Sequence, residues 1–203
     1  AGLGSLSRIY GEAPRNMDMR PSVYRSERFG ESISYTCRKT ALGLIGMAAT
    51  ETGICFVQFG ENEQTLLAML KKEFPNAEIS ASSAQNAPEL DTWIKALDQH
   101  ISAGIPRPDL PLDMRGTAFQ MKVWRFLLSI REGEVLSYSQ LAQQIDKPKA
   151  VRAVATACAK NRIAILIPCH RILRSDGGLG GYRWGIDKKK MLLEREALIS
   201  EEH

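Results

Sequence analysis

Ile163–Arg171 reads IAILIPCHR. Five apolar residues run without a polar break, and Pro168 separates them from Cys169, His170 and Arg171. An apolar run of this length bounded by proline is the pattern of a strand buried on both faces, so the reading places a strand over Ile163–Ile167 that delivers Cys169 at its end. A strand end fixes a side chain in space, which makes Cys169 the candidate nucleophile. His170 and Arg171 add positive potential that favours thiolate over thiol. In an extended chain neighbouring side chains point to opposite faces, so His170 reaches the sulfur only through a bend at Pro168 or a bridging water. The alternative, a free cysteine acting as a small buried hydrophobe, stays open at this point.

Downstream, Arg174–Gly185 (RSDGGLGGYRWG) holds five glycines in twelve residues. Such a loop folds closely over a flat ligand. It has neither Walker nor dinucleotide spacing. Asp187 is read as the cap of a last helix whose apolar stripe is Met191, Leu192, Leu193, Leu198 and Ile199. Glu196 lies on that stripe, so it is read either as buried and paired or as a solvated edge glutamate. A pair with His170 would follow the base–orienter logic of triads.

Upstream, Thr117 with Gln120 and Ser137 with Gln140 are capping-box pairs. The first opens a helix with Phe119, Val123, Phe126, Leu127 and Ile130 on one face, ending at Gly133. The second opens a helix with Leu141, Ala142 and Ile145. After the break Asp146-Lys147-Pro148, a further helix covers Ala150–Ala159, and Asn161 ends it as a left-handed cap. Two short helices across a tight turn make a helix-turn-helix. The second is rich in alanine, with Arg152 near its start. Readers of the major groove carry long polar side chains. An alanine face instead lets a backbone approach closely, which suits sequence-independent binding that deforms the duplex. The other reading is a tightly packed internal helix.

In the first half, Ile33–Arg38, Leu42–Ala49 and Gly53–Phe59 read as strands with tight links, an antiparallel meander. Glu63–Phe74 and Glu89–Ala103 have helical apolar spacing, with Ser80–Pro88 a loop between them. Cys37 and Cys55 are assigned to packing, and His100 to a surface or hydrogen-bonded position. Gly104–Gly116 carries three prolines and reads as a stiff connection.

The chain has 203 residues, 44% hydrophobic and 25% charged. No run of about 18 apolar residues suggests a membrane span, and no secretory signal pattern opens the chain. Four cysteines without a CxxC and three histidines make a poor metal or disulfide set, so reduced thiols in the cytoplasm are expected. Residues 1–112 carry 11 basic and 13 acidic side chains, whereas residues 113–203 carry 16 and 10. The balance of +6 in the second half is what a phosphate-binding surface needs.

A basic half, a helix-turn-helix, a Cys-His pair, a glycine-rich flap and a stripe glutamate point to thiolate chemistry on DNA. PKAVRAVATACAKN (148–161) followed by IPCHR (167–171) resembles the O6-alkylguanine-DNA alkyltransferase family, and the resemblance covers residues 30–200. Residues 1–28 resemble the end of an AraC-type helix-turn-helix domain, an arrangement known within that family. The resemblance implies an α+β protein, with a ribonuclease-H-like α/β subdomain over 29–112 and a mainly helical, winged-helix-type subdomain over 113–203. It implies one irreversible transfer of the methyl group of O6-methylguanine to Cys169 after base flipping. His170 would take the thiol proton through water, oriented by Glu196. Arg152 would fill the stack, with Ala153 and Tyr138 also at the DNA. Tyr138 would assist rotation and donate to guanine N3, and Asn161 would brace the active-site segment. Tyr182, Arg183, Trp184 and Ile172 would form the base pocket, where the Trp184 indole would disfavour bulky alkyl groups. The implied partner is double-stranded DNA bearing O6-alkylguanine, approached from the minor groove without sequence preference, by a monomer in the bacterial cytoplasm. No cofactor, metal or membrane is implied. The rival readings are a cysteine hydrolase, a lesion binder without chemistry, and a transcription-factor fragment.

Overall fold

The computed structural model describes residues 30–83 and 87–201. The expected helix-turn-helix tail in residues 1–28 lies outside them. In chain order the elements are β1 Ser32–Thr40, β2 Gly43–Thr50, β3 Gly53–Gly60, α1 Glu63–Glu73, β4 Glu78–Ala81, α2 Pro88–Ala103, α3 Ala118–Ser129, β5 Leu136–Ser137, α4 Tyr138–Gln144, α5 Val151–Ala159, β6 Ile172–Leu173 and α6 Ile186–Glu201. The architecture is α+β.

β1, β2 and β3 form an antiparallel meander. β4 falls partly inside the expected loop Ser80–Pro88. It is short and mostly exposed, and it joins the sheet parallel to β1, giving the order β3-β2-β1-β4. The helices α1 and α2 cover opposite faces. Leu70 and Phe74 pack with Ile33, Ala48, Cys55 and Phe56. Leu90, Ile94, Leu97 and Ile101 pack in the cluster that holds Ile45, Met47, Val57 and Phe59. β3 serves both faces by alternation, and a register step from Ala48↔Phe56 to Ala49↔Ile54 bulges Cys55 so that it and Phe56 share the α1 face. Burial pushes the thiols of Cys37 and Cys55 up to about 11 and about 12. His100 is buried, with Nδ1 2.7 Å from the Ile105 carbonyl.

The second cluster runs on without a break into Val123, Trp124, Leu127, Leu141, Val154 and Ala157. Both capping boxes form, at Thr117 with Gln120 and at Ser137 with Gln140. α3 stops at Ser129, ahead of Gly133. Trp124, which the apolar spacing overlooked, ties α3 to α5 by donating from Nε1 to the Ala157 carbonyl at 2.9 Å. α4 and α5 meet across a turn in which Asp146 takes φ 57. α5 is not an internal helix. Val154, Ala157 and Cys158 face the core, while Arg152, Ala153, Thr156 and Lys160 are exposed.

The expected strand over Ile163–Ile167 is instead a buried turn. Ile163 makes a single bridge to Val57. Ile165 takes φ 68, and the Ile167 N–H donates to the Ile163 carbonyl. The strand of this region, β6, follows Cys169 and pairs with β5. An apolar run reports burial, and a turn that satisfies its own backbone groups meets that condition as well as a strand does. Asn161 provides part of that satisfaction and is not a left-handed cap, since α5 closes at Lys160 in right-handed geometry. The exposed edge of the sheet, β3, is covered by this turn: Val57 N–H donates to the Arg162 carbonyl and Ala164 N–H to the Val57 carbonyl, both at 2.9 Å.

α6 also departs from expectation. Asp187 sits inside the first turn rather than capping it. The face turned inward carries Lys189, Leu192 and Glu196, whereas Met191 and Leu198 are exposed. The Ile199 side chain lies outside the described residues. Polar side chains hold the core face here because each has a buried partner.

Candidate active site

Cys169 opens a single 3-10 turn, Cys169–Arg171, directly after Pro168. Its side chain is 5% exposed and lines a cavity of about 1100 Å³. Tyr138, Cys158 and the glycine-rich flap form the rest of the wall. Burial drives the thiol up to about 11, against the hydrogen bond from Asn161 and the charges of Lys189 and Arg183. Burial thus favours the thiol over the thiolate at neutral pH. The positive potential expected from His170 and Arg171 comes instead from Lys189 and Arg183. Arg171 does not face the sulfur. It is 1% exposed and grips Glu196 through Nε at 2.9 Å and Nη2 at 2.8 Å, and it donates from Nη1 to the Ile130 carbonyl.

His170 Nε2 lies 2.8 Å from Glu196 Oε1. A carboxylate only accepts, so Nε2 carries the proton and Nδ1 presents a lone pair. Nδ1 is buried and has no hydrogen-bond partner among the described residues. Burial holds the ring below its ordinary value against the pull of Glu196. Burial pushes Glu196 up, but its hydrogen bonds and charge contacts with His170 and Arg171 outweigh this and take it down to about 2. The result is an anionic Glu196 neutralised by Arg171, holding a neutral imidazole. Arg171 was legible only as local charge, because an extended chain would point it away from His170. The 3-10 turn brings both onto one carboxylate.

Asn161 is fully buried and acts three ways. Its Oδ1 accepts from the Ile163 N–H at 2.8 Å, and its Nδ2 donates to the Ile167 carbonyl at 3.0 Å and to Cys169 Sγ at 3.3 Å. Replacing Asn161 with Leu strands the buried Ile163 N–H and takes one of two donors from the Ile167 carbonyl, which keeps the Cys169 N–H. We expect a loss on the order of 2–4 kcal/mol, read from the urea midpoint. An unchanged midpoint would mean that the turn holds itself.

Two further groups escaped the sequence reading. Lys189 is fully buried and donates to the Ile172 and Leu179 carbonyls, tying β6 to the flap and placing a cation near the sulfur. Arg107, from the proline-rich connection, donates to the Leu166 carbonyl at 2.9 Å within the Ile163–Ile167 turn. A lysine on an otherwise apolar stripe was the available signal for the first.

Tyr138 and Tyr182 both line the cavity. Burial first, then the nearby thiols Cys158 and Cys169, pushes Tyr138 up to about 12. Burial also holds Tyr182 well above its ordinary value, and its buried hydroxyl has no partner among the described residues. Both are protonated donors at neutral pH. Arg183 lines the same wall. Two expected pocket residues do not. Trp184 is buried behind Tyr182, in edge contact at 5.0 Å, with Nε1 donating to Gln58 Oε1 at 3.0 Å. The indole takes that partner instead of facing the cavity, so it sets no steric limit on an alkyl group there. Ile172 is wholly buried in β6 and supports the turn from beneath. Arg152 and Ala153 are on the exposed side of α5, whose Ala155, Cys158 and Ala159 form part of the cavity wall.

Among the described residues no cluster of His, Cys, Asp or Glu is placed to hold a metal ion, and no helix is long and apolar enough to cross a membrane.

Residues 118–198 match the family model described as 6-O-methylguanine DNA methyltransferase, DNA binding domain. The chain is 42% identical over 201 residues to the Bifunctional transcriptional activator/DNA repair enzyme Ada of Escherichia coli, covering 97% of this chain and 54% of that protein. It spans about half the length of the two Ada proteins it matches. To the inducible Methylated-DNA--protein-cysteine methyltransferase of Bacillus subtilis it is 34% identical over 158 residues, 77% of this chain and 86% of that protein. The crystal structure of Mycobacterium tuberculosis OGT in complex with DNA superposes with a TM-score of 0.67 at 30% identity, covering 82% of this chain and 94% of that one.

Proposed function

The chain belongs to the methylated-DNA–protein-cysteine methyltransferase family, and on that premise we propose that it repairs O6-methylguanine in DNA by moving the methyl group irreversibly onto Cys169. One observation carries this: a cavity-wall thiol, hydrogen-bonded by Asn161, sits next in sequence to a buried neutral histidine held by Glu196 with its other nitrogen bare.

A base inside a duplex is out of reach, so the lesion must be turned out of the stack, at a cost of a few kcal/mol that a badly paired lesion lowers. The Cys169 proton passes to His170 Nδ1 through a bridging water. The sulfur then attacks the methyl carbon, the S–C bond forms, and the O6–C bond breaks. Tyr138 donates a proton to guanine N3, so the base leaves neutral, and the proton that His170 took from Cys169 returns through water to the Tyr138 phenolate. Tyr182 and the backbone at Arg183 line the base site. No residue in the cavity is placed to cleave a thioether, so each chain acts once.

The partner is duplex DNA carrying O6-alkylguanine, approached from the minor groove by α5 without sequence preference. The exposed side of α5 is small at Ala153 and cationic at Arg152 and Lys160, which permits close approach and phosphate contact. The protein acts as a monomer in the bacterial cytoplasm, in keeping with four free cysteines.

The test is intact and peptide mass after mixing with excess duplex bearing one O6-methylguanine. One added methyl on the Cys169 peptide, with repair stopping at one lesion per chain, is expected. A lesion that disappears without added mass would indicate a turning-over catalyst and defeat the reading. The role of Arg152 is separable. If it fills the stack, Arg152→Ala slows repair in duplex by about 10- to 100-fold, the worth of one stacked base, and spares reaction with the free modified base. Equal losses on both substrates would make it a structural residue.

A further inference from the structure

The active-site flap is pinned to the sheet half of the molecule at two adjacent residues. Arg183 Nη2 donates to Glu73 Oε1 at 3.2 Å, and Trp184 Nε1 to Gln58 Oε1 at 3.0 Å. Glu73 ends α1 and Gln58 lies in β3, so neither belongs to the part of the chain that carries the nucleophile. The other oxygen of Glu73, Oε2, holds Arg162 Nε at 2.9 Å, and Arg162 is the residue between Asn161 and the reactive turn. Arg183 also donates from Nη1 to the Asn161 carbonyl at 3.2 Å. One carboxylate thus grips both the flap and the segment whose Asn161 amide reaches the Cys169 sulfur.

The placement of Glu73 has no local explanation. A carboxylate in the last turn of a helix opposes the macrodipole, and the basic residues of that turn, Lys71 and Lys72, satisfy the helix end without it. The next residue repeats the same grip by other means, since the Arg162 and Arg115 guanidinium groups both lie over the Phe74 ring, at 6.0 and 5.7 Å. The side chains of Glu73, Arg162 and Arg183 keep 22%, 18% and 29% of their surface in solvent. Ion pairs this exposed add little to stability. What a carboxylate forked between two arginines can supply is position.

We infer that Glu73 is a positioning residue for methyl transfer, setting the flap at Arg183 and the reactive turn at Arg162 in one register so that Asn161, Cys169 and the base pocket stay aligned. This deepens the proposed function and rests on it. It gives the sheet half a task in the chemistry: α1 and the edge strand β3 form the template against which the transfer site closes. Displacement of a reacting group by about 1 Å costs up to about 100-fold in rate, whereas loss of an ion pair that stays partly in solvent costs on the order of 1 kcal/mol in stability.

The experiment uses the full chain, Glu73→Gln, and duplex DNA carrying one O6-methylguanine. Three quantities are read: the first-order constant for methyl appearance on the Cys169 peptide within the complex, the Kd for the duplex, and Tm. The expected result is a transfer constant lower by about tenfold or more, a Kd within about twofold and a Tm within a few degrees of the parent, as for other exposed ion pairs. A transfer constant equal to the parent's overturns the inference, as does a loss matched by an equal loss of affinity or a collapse of Tm. Arg183→Gln and the double variant complete a cycle. If Glu73 acts through Arg183, the double variant is little slower than Arg183→Gln alone, and independent, multiplying losses would overturn the coupling. A parent chain that gains no methyl on Cys169 would defeat the proposed function itself, and this inference with it. A parent that gains it while Glu73→Gln matches it defeats the inference alone.

Discussion

Replacing Cys169 with Ser abolishes methyl uptake and leaves the binding of lesion-bearing duplex intact. The expected loss exceeds any other single change, because no other group can take the methyl. A hydroxyl is a far weaker nucleophile than a thiol at neutral pH, and His170 must already abstract a proton from a thiol that burial holds at about 11. The informative control is Cys158, a second thiol on the wall of the same cavity. Its thiol is raised further than that of Cys169, by burial first and then by the neighbouring thiol, and no side-chain donor offsets this as Asn161 does for Cys169. We therefore expect the Cys158 peptide to stay unmodified in Cys169→Ser even with DNA in excess. A methyl on Cys158 would show that proximity to the base, rather than the Asn161 and His170 environment, selects the acceptor.

That environment was only half legible in the sequence. The residues were readable because their types are costly where they sit. Glu196 interrupts an apolar stripe, and Cys-His-Arg follows an apolar run. The geometry was not readable, because hydrophobic pattern reports burial and not path. Ile163–Ile167 is as buried as a central strand would be, yet its backbone closes on itself and on Asn161, and β6 begins only after the nucleophile. That one difference rotates Arg171 onto Glu196 and converts an expected thiolate-stabilising cation into the counter-charge of the orienting carboxylate. Trp184 failed for a related reason. Its partner Gln58 lies 126 residues away on β3, and no local pattern announces a contact of that range. The meander, the capping boxes and the helix-turn-helix were legible because tight turns and short-range side-chain caps decide them. β4 was missed because four mostly exposed residues at a sheet edge carry no apolar alternation.

Glu196→Gln should be the most damaging change that keeps both shape and nucleophile. The substitution leaves Arg171, 1% exposed, without a counter-charge. Removing one partner of a buried pair costs about 3–5 kcal/mol, so Tm should fall by on the order of 10 °C for a chain of this size. Transfer should fall by at least about 100-fold, because a carboxamide can donate as well as accept and no longer fixes the proton on Nε2. The uncompensated guanidinium beside the ring would press its basicity lower still. The pH dependence separates these effects. In the parent, the Glu196 carboxyl lies at about 2, below its ordinary 4.5. Its contribution is therefore whole above 4.5 and is lost as pH falls towards 2. His170 is likewise held below its ordinary 6.5. The unfolded chain accepts a proton there that the folded chain refuses, so stability also declines as pH falls beneath 6.5. Melts of the parent should thus lose stability in two overlapping acid steps. The variant, already less stable at neutral pH, should keep the histidine step and lose the part of the lower one that Glu196 supplies. Parallel curves for the two proteins from pH 7 to pH 3 would mean that folding leaves the Glu196 carboxyl at its ordinary value, so that the pairing with His170 and Arg171 does not favour its anion. The assignment of a neutral imidazole between an anion and a cation would then have to be abandoned.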